Sequence, residues 1–508
     1  MDKLLRFVKW IDNNLVKILL SGFIFLVPLW PKLPIRMINY TYIAIRFEDI
    51  YLTFMILIFI IQLIRKKIRL TTTFLWLFIL FWISVFASTV WGIYFGKTID
   101  FYHLGYLHAL RRVEYMSVFF IAASVIKNRV DFFHLIKFFF FSVFLVSLYG
   151  LGQKFLGFPA VQTMNPEYAK GYILSLTPEA RISSTFAGHY DLASYLAFVI
   201  PLIISFSFFL KKRFYLIFYI LALFVLTYTS SRISFVAYAI TVFLLLIFIR
   251  KYFFLIFAII LTALVMFSSG DLINRFLKTV QFKRILVNEK TGSVYINQNV
   301  TTKELPAGSF YVKVEKPPEQ ILPTEAVATE VAKINTFKEM IVEQKVIEVK
   351  KNKYLSPKET NKLIASLSAE LTAINTFVSD ISFATRLQIE WPRAINAFNR
   401  NKLLGSGPSS ITEATDNDYL RWLGETGLLG TTLFLMILFF INRYVWLGVK
   451  KFSKENKLIA YGFTFALIAL LINATYIDVF EASKMAYTFW TVAGLFTGYS
   501  SLLSSRTK

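Results

Sequence analysis

Six arginines, Arg111, Arg112, Arg181, Arg232, Arg386 and Arg393, stand at the edges of apolar runs, apart from the Lys/Arg clusters that punctuate the chain. A guanidinium stays charged at any ordinary pH and presents a planar fork of donors, so a row of them suits a diphosphate. Arg386 and Arg393 are seven residues apart with Glu390 between them, and on an α-helix the two would share a face. Local uses exist for three of them: Arg386 with Glu390, Arg111 with Glu114, and Arg232 reaching to lipid headgroups. Taken together the set favours an anionic ligand.

A carboxylate lies close by in sequence. Asp416 precedes Asn417-Asp418-Tyr419-Leu420, which leads into Gly427-Leu428-Leu429-Gly430. It suits a helix N-cap first and secondly a carboxylate that takes a proton from an incoming hydroxyl, and the two roles are compatible. Gly405-Ser406-Gly407-Pro408 is glycine-rich but lacks the lysine of a phosphate-binding loop, and reads as a tight connection instead.

What must position these groups follows from composition. Of 508 residues, 56% are apolar, 18% aromatic and 17% charged, outside the range of soluble globular domains. Twelve apolar runs are long enough to approach the hydrocarbon thickness of a bilayer, at about 14–30, 48–64, 73–93, 110–127, 134–152, 192–210, 214–229, 232–249, 252–268, 427–447, 457–476 and 485–503. The expected fold is an all-α polytopic integral membrane protein of about twelve transmembrane helices. With no cysteine and four histidines lacking metal-ligand spacing, no metal centre or cofactor is expected.

Basic clusters at Arg65-Lys66-Lys67, Lys127-Asn128-Arg129, Lys211-Lys212-Arg213, Arg250-Lys251 and Lys450-Lys451 follow alternate spans. The excess of Lys and Arg in cytoplasmic loops then puts both termini in the cytoplasm and all six arginines on the outer side. Nine spans are expected within 1–268, a large extracytoplasmic loop over 269–426, and three spans within 427–508. The loop holds 21 basic and 18 acidic residues, so most of the net charge of +24 surrounds the spans and reflects topology, with no nucleic acid as a partner. Within the loop, 288–380 is expected to be a small folded α/β insert and about 381–426 the motif helices. Strands near Val294 to Ile296 and Phe310 to Val314 flank Pro306-Ala307-Gly308 as a hairpin would. Helical spacing covers 324–350, and Ser356-Pro357-Lys358-Glu359 announces a helix running to about Asp380.

Four stretches in this order resemble the O-antigen ligase and polymerase superfamily: Arg181 to Tyr195, Thr229 to Arg232, Arg386 to Pro408, and Asp416 to Leu420 with Gly427 to Gly430. The resemblance runs from about residue 110 to 500. It implies a multi-pass enzyme of the bacterial cytoplasmic membrane that transfers or polymerises glycan from undecaprenyl diphosphate, without metal or nucleotide. The acceptor would be a hydroxyl of a glycan, lipid or protein at the outer face. Arg181, Arg232 and Arg386 match positions that hold the diphosphate in the family, with Arg393 beside them. Arg111 and Arg112 join the diphosphate set from the reading of the residues, and Asp416 with Arg232 forms the expected catalytic pair. Ligases that attach glycan to lipid A core carry a histidine, their proposed base, where Asp416 stands; polymerases lack it, so both activities stay open. The alternative from another class is a flippase or transporter of an anionic lipid-linked glycan, disfavoured by the lack of an internal repeat.

Overall fold

The computed structural model describes residues 2–38, 44–163, 171–177, 180–277, 279–288, 294–295, 312–313, 324–352, 356–379, 381–411, 414–450 and 454–505. It divides into two compact units, Met1–Ile273 with Arg393–Lys508, and Asn274–Pro392.

In chain order the first unit contains α1 (Asp2–Leu29), a short antiparallel pair β1 (Pro34–Met37) and β2 (Ala44–Arg46), α2 (Phe47–Ile64), α3 (Leu75–Val90), α4 (Tyr102–Val125) and α5 (Arg129–Phe155). A second small pair, β3 (Ala160–Val161) and β4 (Ile173–Leu174), precedes α6 (His189–Leu210), α7 (Tyr215–Tyr228), α8 (Arg232–Phe248) and α9 (Tyr252–Ser268). The short α10 (Gly270–Leu277) leads out of the unit.

The other unit holds a four-stranded sheet of β5 (Val280–Asn288), β6 (Val294–Tyr295), β7 (Val312–Lys313) and β8 (Leu371–Ser379), in the order β6-β5-β8-β7. The helices α11 (Thr324–Asn352), α12 (Pro357–Glu370) and α13 (Ile381–Thr385) belong with it. Its core joins Leu286, Ile341, Val342, Val346 and Leu371. The expected hairpin is not formed: β6 pairs with β5 and β7 with β8, at opposite edges of the sheet. The expected turn at Pro306 to Gly308 lies outside the described residues. The helix opened by Ser356 stops at Glu370, ten residues short of the expectation. From Leu371 the alternating Leu-Thr-Ala-Ile-Asn-Thr-Phe-Val run is better satisfied as a strand, and it pairs with β5 from Val280 opposite Ser379 to Asn288 opposite Leu371.

The chain returns to the first unit through α14 (Trp391–Arg400), α15 (Asp418–Lys450), α16 (Lys454–Asn473) and α17 (Ser483–Ser505). Each of the twelve apolar runs falls on one helix of this unit. Among the described residues, seven helices are long and apolar enough to cross a membrane: α1, α2, α3, α5, α6, α15 and α16, with α3 extended by a π-helical turn to Phe95. The apolar helices α7, α8 and α9 are shorter, at 14, 17 and 17 residues. Charged residues at Arg111, Arg112 and Glu114 dilute the apolar character of α4, and Ser, Thr, Tyr and Gly dilute that of α17.

The bundle is centred on α6, whose apolar window is 94% buried, packed against α16, while α4 packs against α17. The second contact has a sequence cause. Gly494 and Gly498 form a G-x-x-x-G pair on α17, and a Cβ at either would lie 2.4 Å from the Phe119 carbonyl oxygen or 2.5 Å from that of Ala123. Only glycine lets the two backbones approach this closely.

Candidate functional site

The polar groups of the first unit gather where its helices meet the loops. Gln153 of α5 fixes the segment before α6: its Oε1 accepts from the Ser183 and Ser184 amides at 3.2 and 2.7 Å, and its Nε2 donates to the Ser184 carbonyl at 2.9 Å. Lys484, at the start of α17, donates to the carbonyls of Pro28, Trp30 and Thr185 at 3.1, 2.6 and 2.7 Å. One buried ammonium thus ties the end of α1 and the segment before α6 to the start of α17, which satisfies carbonyls that would otherwise be costly to bury.

The segment before α15 is fixed in the same manner. Asp478 accepts the backbone amides of Thr415, Asp416 and Asn417 at 2.9, 3.0 and 3.0 Å. Its carboxylate also meets Arg421 at 2.8 Å. Asp418 reciprocates, accepting the amides of Val479 and Phe480 at 2.8 and 3.2 Å. The helix cap is Asn417, whose Oδ1 accepts from the Leu420 amide at 3.0 Å, so the N-cap expected of Asp416 belongs to its neighbour. Asp416 itself is held at φ 49°, in the left-handed region that Asp tolerates better than most residues.

Between these segments is a cavity of about 180 Å³. Lys32, Arg46 and Arg111 supply its cations, and Asp191, Asp416, Asp478 and Glu481 its carboxylates. Arg111 has its guanidinium 3.4 Å from the Ala44 carbonyl and 3.7 Å from Asp49. The Glu114 partner considered from sequence is instead the acceptor of the Tyr487 hydroxyl at 2.8 Å. Arg112 points to Glu425 and to Glu481, the latter at 2.9 Å. Burial would raise the Glu481 carboxyl, but Arg112, Arg421 and His108 outweigh it and hold it below the ordinary glutamate range. Lys32 is bonded to Ser483 and lies 3.9 Å from Glu48. Burial, with the nearby Arg46 charge, pulls its ammonium down to about 8.

The other expected residues are placed as follows. Arg181 approaches His189 Nε2 at 2.6 Å, next to Tyr190, which lines the cavity. Arg232 is the first residue of α8, half-buried, behind a Ser231–Ser234 hydrogen bond of 2.9 Å that continues to Asn473 at 2.5 Å. Arg393 is exposed on α14. Arg386 belongs to the other unit, buried, with its guanidinium 2.7 Å from the Ser382 carbonyl. The turn Arg386–Glu390 is π-helical, which interrupts the α-helical periodicity on which the shared face with Arg393 depended.

Gly405-Ser406-Gly407 forms a clamp on the break in α15. The amides of Ser406 and Gly407 donate to the Gly424 and Glu425 carbonyls at 2.8 and 2.9 Å, and Leu428 donates to Lys402 at 2.9 Å. Gly427 sits there at φ 63°, ψ −166°, a conformation essentially restricted to glycine.

Lys32, Arg46, Asp191, Asp478 and Glu481 did not stand out from sequence. Asp478 and Glu481 precede the last apolar run, six and three residues before Lys484, and charges in so apolar a setting were the available signal. The described arrangement supplies a cationic side for an anion and carboxylates for a proton within one cavity.

Residues 217–435 match the family model described as O-antigen ligase. This stretch includes Arg232, Arg386, Arg393 and Asp416, while Lys32, Arg46, Arg111, Asp478 and Glu481 lie outside it. Nothing among the curated proteins or the solved structures matches the chain.

Proposed function

We propose that the chain is a membrane glycosyltransferase of the O-antigen ligase and polymerase type using undecaprenyl-diphosphate-linked glycan, a reading supported by the match of residues 217–435 to the O-antigen ligase family model. The supporting observation is that Arg111, Arg46 and Lys32 line one cavity with Asp416. In this reading the donor diphosphate sits among the arginines at the outer face of the cytoplasmic membrane, with Arg181, Arg232 and Arg393 contributing to the same ligand. The termini are cytoplasmic and residues 269–426 extracytoplasmic.

The acceptor hydroxyl attacks the anomeric carbon and gives its proton to the Asp416 carboxylate. The bond from that carbon to the diphosphate oxygen breaks, and the polyprenyl diphosphate leaves as an anion, with inversion. Stabilising the charge that develops on the leaving group is the larger contribution, and no metal or nucleotide takes part. The acceptor is a glycan, lipid or protein hydroxyl.

Arg232→Ala tests this reading. Transfer is expected to be abolished while membrane insertion and detergent-solubilised yield match wild type; wild-type turnover by this variant contradicts the assignment.

A further inference from the structure

The end of the bundle opposite the site cavity carries a polar feature of its own. Helix α1 runs 28 residues from Asp2 to Leu29, about 42 Å at 1.5 Å per residue. Its C-terminal end reaches the site, where Lys484 bonds the Pro28 carbonyl. The hydrocarbon of a bilayer takes up about 30 Å, so the first two turns of α1 extend past it into the headgroup layer. Lys3, Arg6 and Lys9 recur there at every third residue, while Leu4, Val8 and Ile11 share the opposite face. Leu4, Phe7, Val8 and Trp10 are each more than half exposed.

Next to these turns, α1 and the turn joining α4 to α5 enclose a pocket of about 80 Å³ lined by Asn13, Lys17, Lys127 and Asp131. Lys17 donates to Asp131 at 2.9 Å, which uses one of the three hydrogens of its ammonium. The Asp131 carboxylate also accepts the amides of Lys127 and Asn128, each at 3.2 Å. Lys127 donates to the Lys67 carbonyl at 3.3 Å. Asp12, beside Asn13, is bonded to Arg65 at 2.6 Å and to Lys67. Both carboxylates are thus committed within the protein, while the ammonium groups of Lys17 and Lys127 keep donors for a ligand.

We propose that this pocket holds the headgroup phosphate of an anionic phospholipid on Lys17, Lys127 and Asn13, with the first turns of α1 in the same headgroup layer. A basic face backed by Leu, Phe, Val and Trp is the pattern of a helix seated in a membrane interface, and a basic pocket between spans suits an acidic headgroup. A lipid is favoured over a free anion because only a lipid also covers Leu4, Phe7, Val8 and Trp10. The inference is independent of the glycan donor and of any chemistry in the site cavity.

The test is native mass spectrometry of the full-length protein with added phosphatidylglycerol or phosphatidylcholine. Preferential retention of phosphatidylglycerol is expected, with Lys127→Gln weakening it about fivefold, the effect of one basic residue at an anionic headgroup. Lys212→Gln, an exposed lysine between α6 and α7, is expected to leave it unchanged. The chain has no cysteine, so Val8→Cys takes a single fluorophore. In nanodiscs, nitroxide-labelled phosphatidylglycerol should quench it more than nitroxide-labelled phosphatidylcholine, and replacing Lys3, Arg6 and Lys9 by Gln should remove the difference. Equal retention of the two lipids, displacement by inorganic phosphate at matching concentration, no effect of Lys127→Gln, or a Val8 fluorophore that reports a second copy of the chain and not the lipid overturns the proposal. Should Lys127→Gln fail to fold, lipid competition on the wild-type protein decides alone.

Discussion

Asp478 accepts the backbone N–H of Asp416 at 3.0 Å across 62 residues of chain. The same carboxylate reaches Arg421 at 2.8 Å, so the segment before α17 sets the conformation of the segment before α15. Asp416 is thereby held in its left-handed turn with its side chain in the cavity wall.

Asp478→Ala removes the acceptor of three amides and the closer of two carboxylate partners of the buried Arg421, Glu425 being the other at 3.5 Å. Breaking such a pair costs about 3–5 kcal/mol, and the expected outcome is a marked fall in the thermal unfolding midpoint in detergent. Asp478→Asn, which keeps an acceptor oxygen, is expected to lose less. Equal midpoints for Asp478→Ala and wild type would remove Asp478 from this role.

Arg111→Lys keeps the charge but loses the planar fork. Loss of a hydrogen bond to a charged group corresponds to about 10- to 100-fold weaker donor binding. The KM for the lipid-linked donor should rise by that factor, and the measurement is steady-state transfer at saturating acceptor.

Lys32 gives a pH dependence with a defined sign. Burial has pulled its ammonium down to about 8, so its charge is present at pH 7 and lost as pH rises through that value. An anion held by it loosens in the same window, and the donor KM is expected to rise roughly tenfold or less between about pH 7 and 9. Lys32→Arg should flatten that rise. For folding the sign is opposite: the folded state releases this proton before the unfolded chain does, so the Lys32 contribution to stability increases with pH from about 8 towards the ordinary lysine value of 10.5. Equilibrium unfolding across that range checks it.

Gly427→Ala places a Cβ 2.3 Å from the Leu403 carbonyl oxygen at a φ of 63°. The backbone strain alone costs about 1–3 kcal/mol, and the clamp formed by Gly405 to Gly407 must also shift. A lowered unfolding midpoint is expected, with Leu428→Ala as the neighbouring comparison.

The helical bundle was legible because apolar runs and alternating basic clusters report directly on a bilayer. Its stop points were less so. The end of α12 at Glu370 depended on a distant strand, β5, offering Leu371 to Ser379 a ladder, and helical propensity at Ser356 carried no information about that partner. The arginines were visible because charge at the edge of an apolar run is costly, and Arg111 and Asp416 do line one cavity. The partners were not visible: Arg112 with Glu425 and Glu481, and Asp478 with the 415–417 amides, join residues hundreds or tens of positions apart. Asn417 took the cap expected of Asp416 because Asp478 had already fixed the turn one residue earlier.

The most direct test of the central claim is release of free polyprenyl diphosphate by purified protein in liposomes, given a polyprenyl-diphosphate oligosaccharide and no nucleotide or metal. The account predicts release that depends on an added acceptor and yields a longer or newly attached glycan. Movement of intact lipid-linked glycan across the bilayer with no release would contradict it and identify a flippase instead.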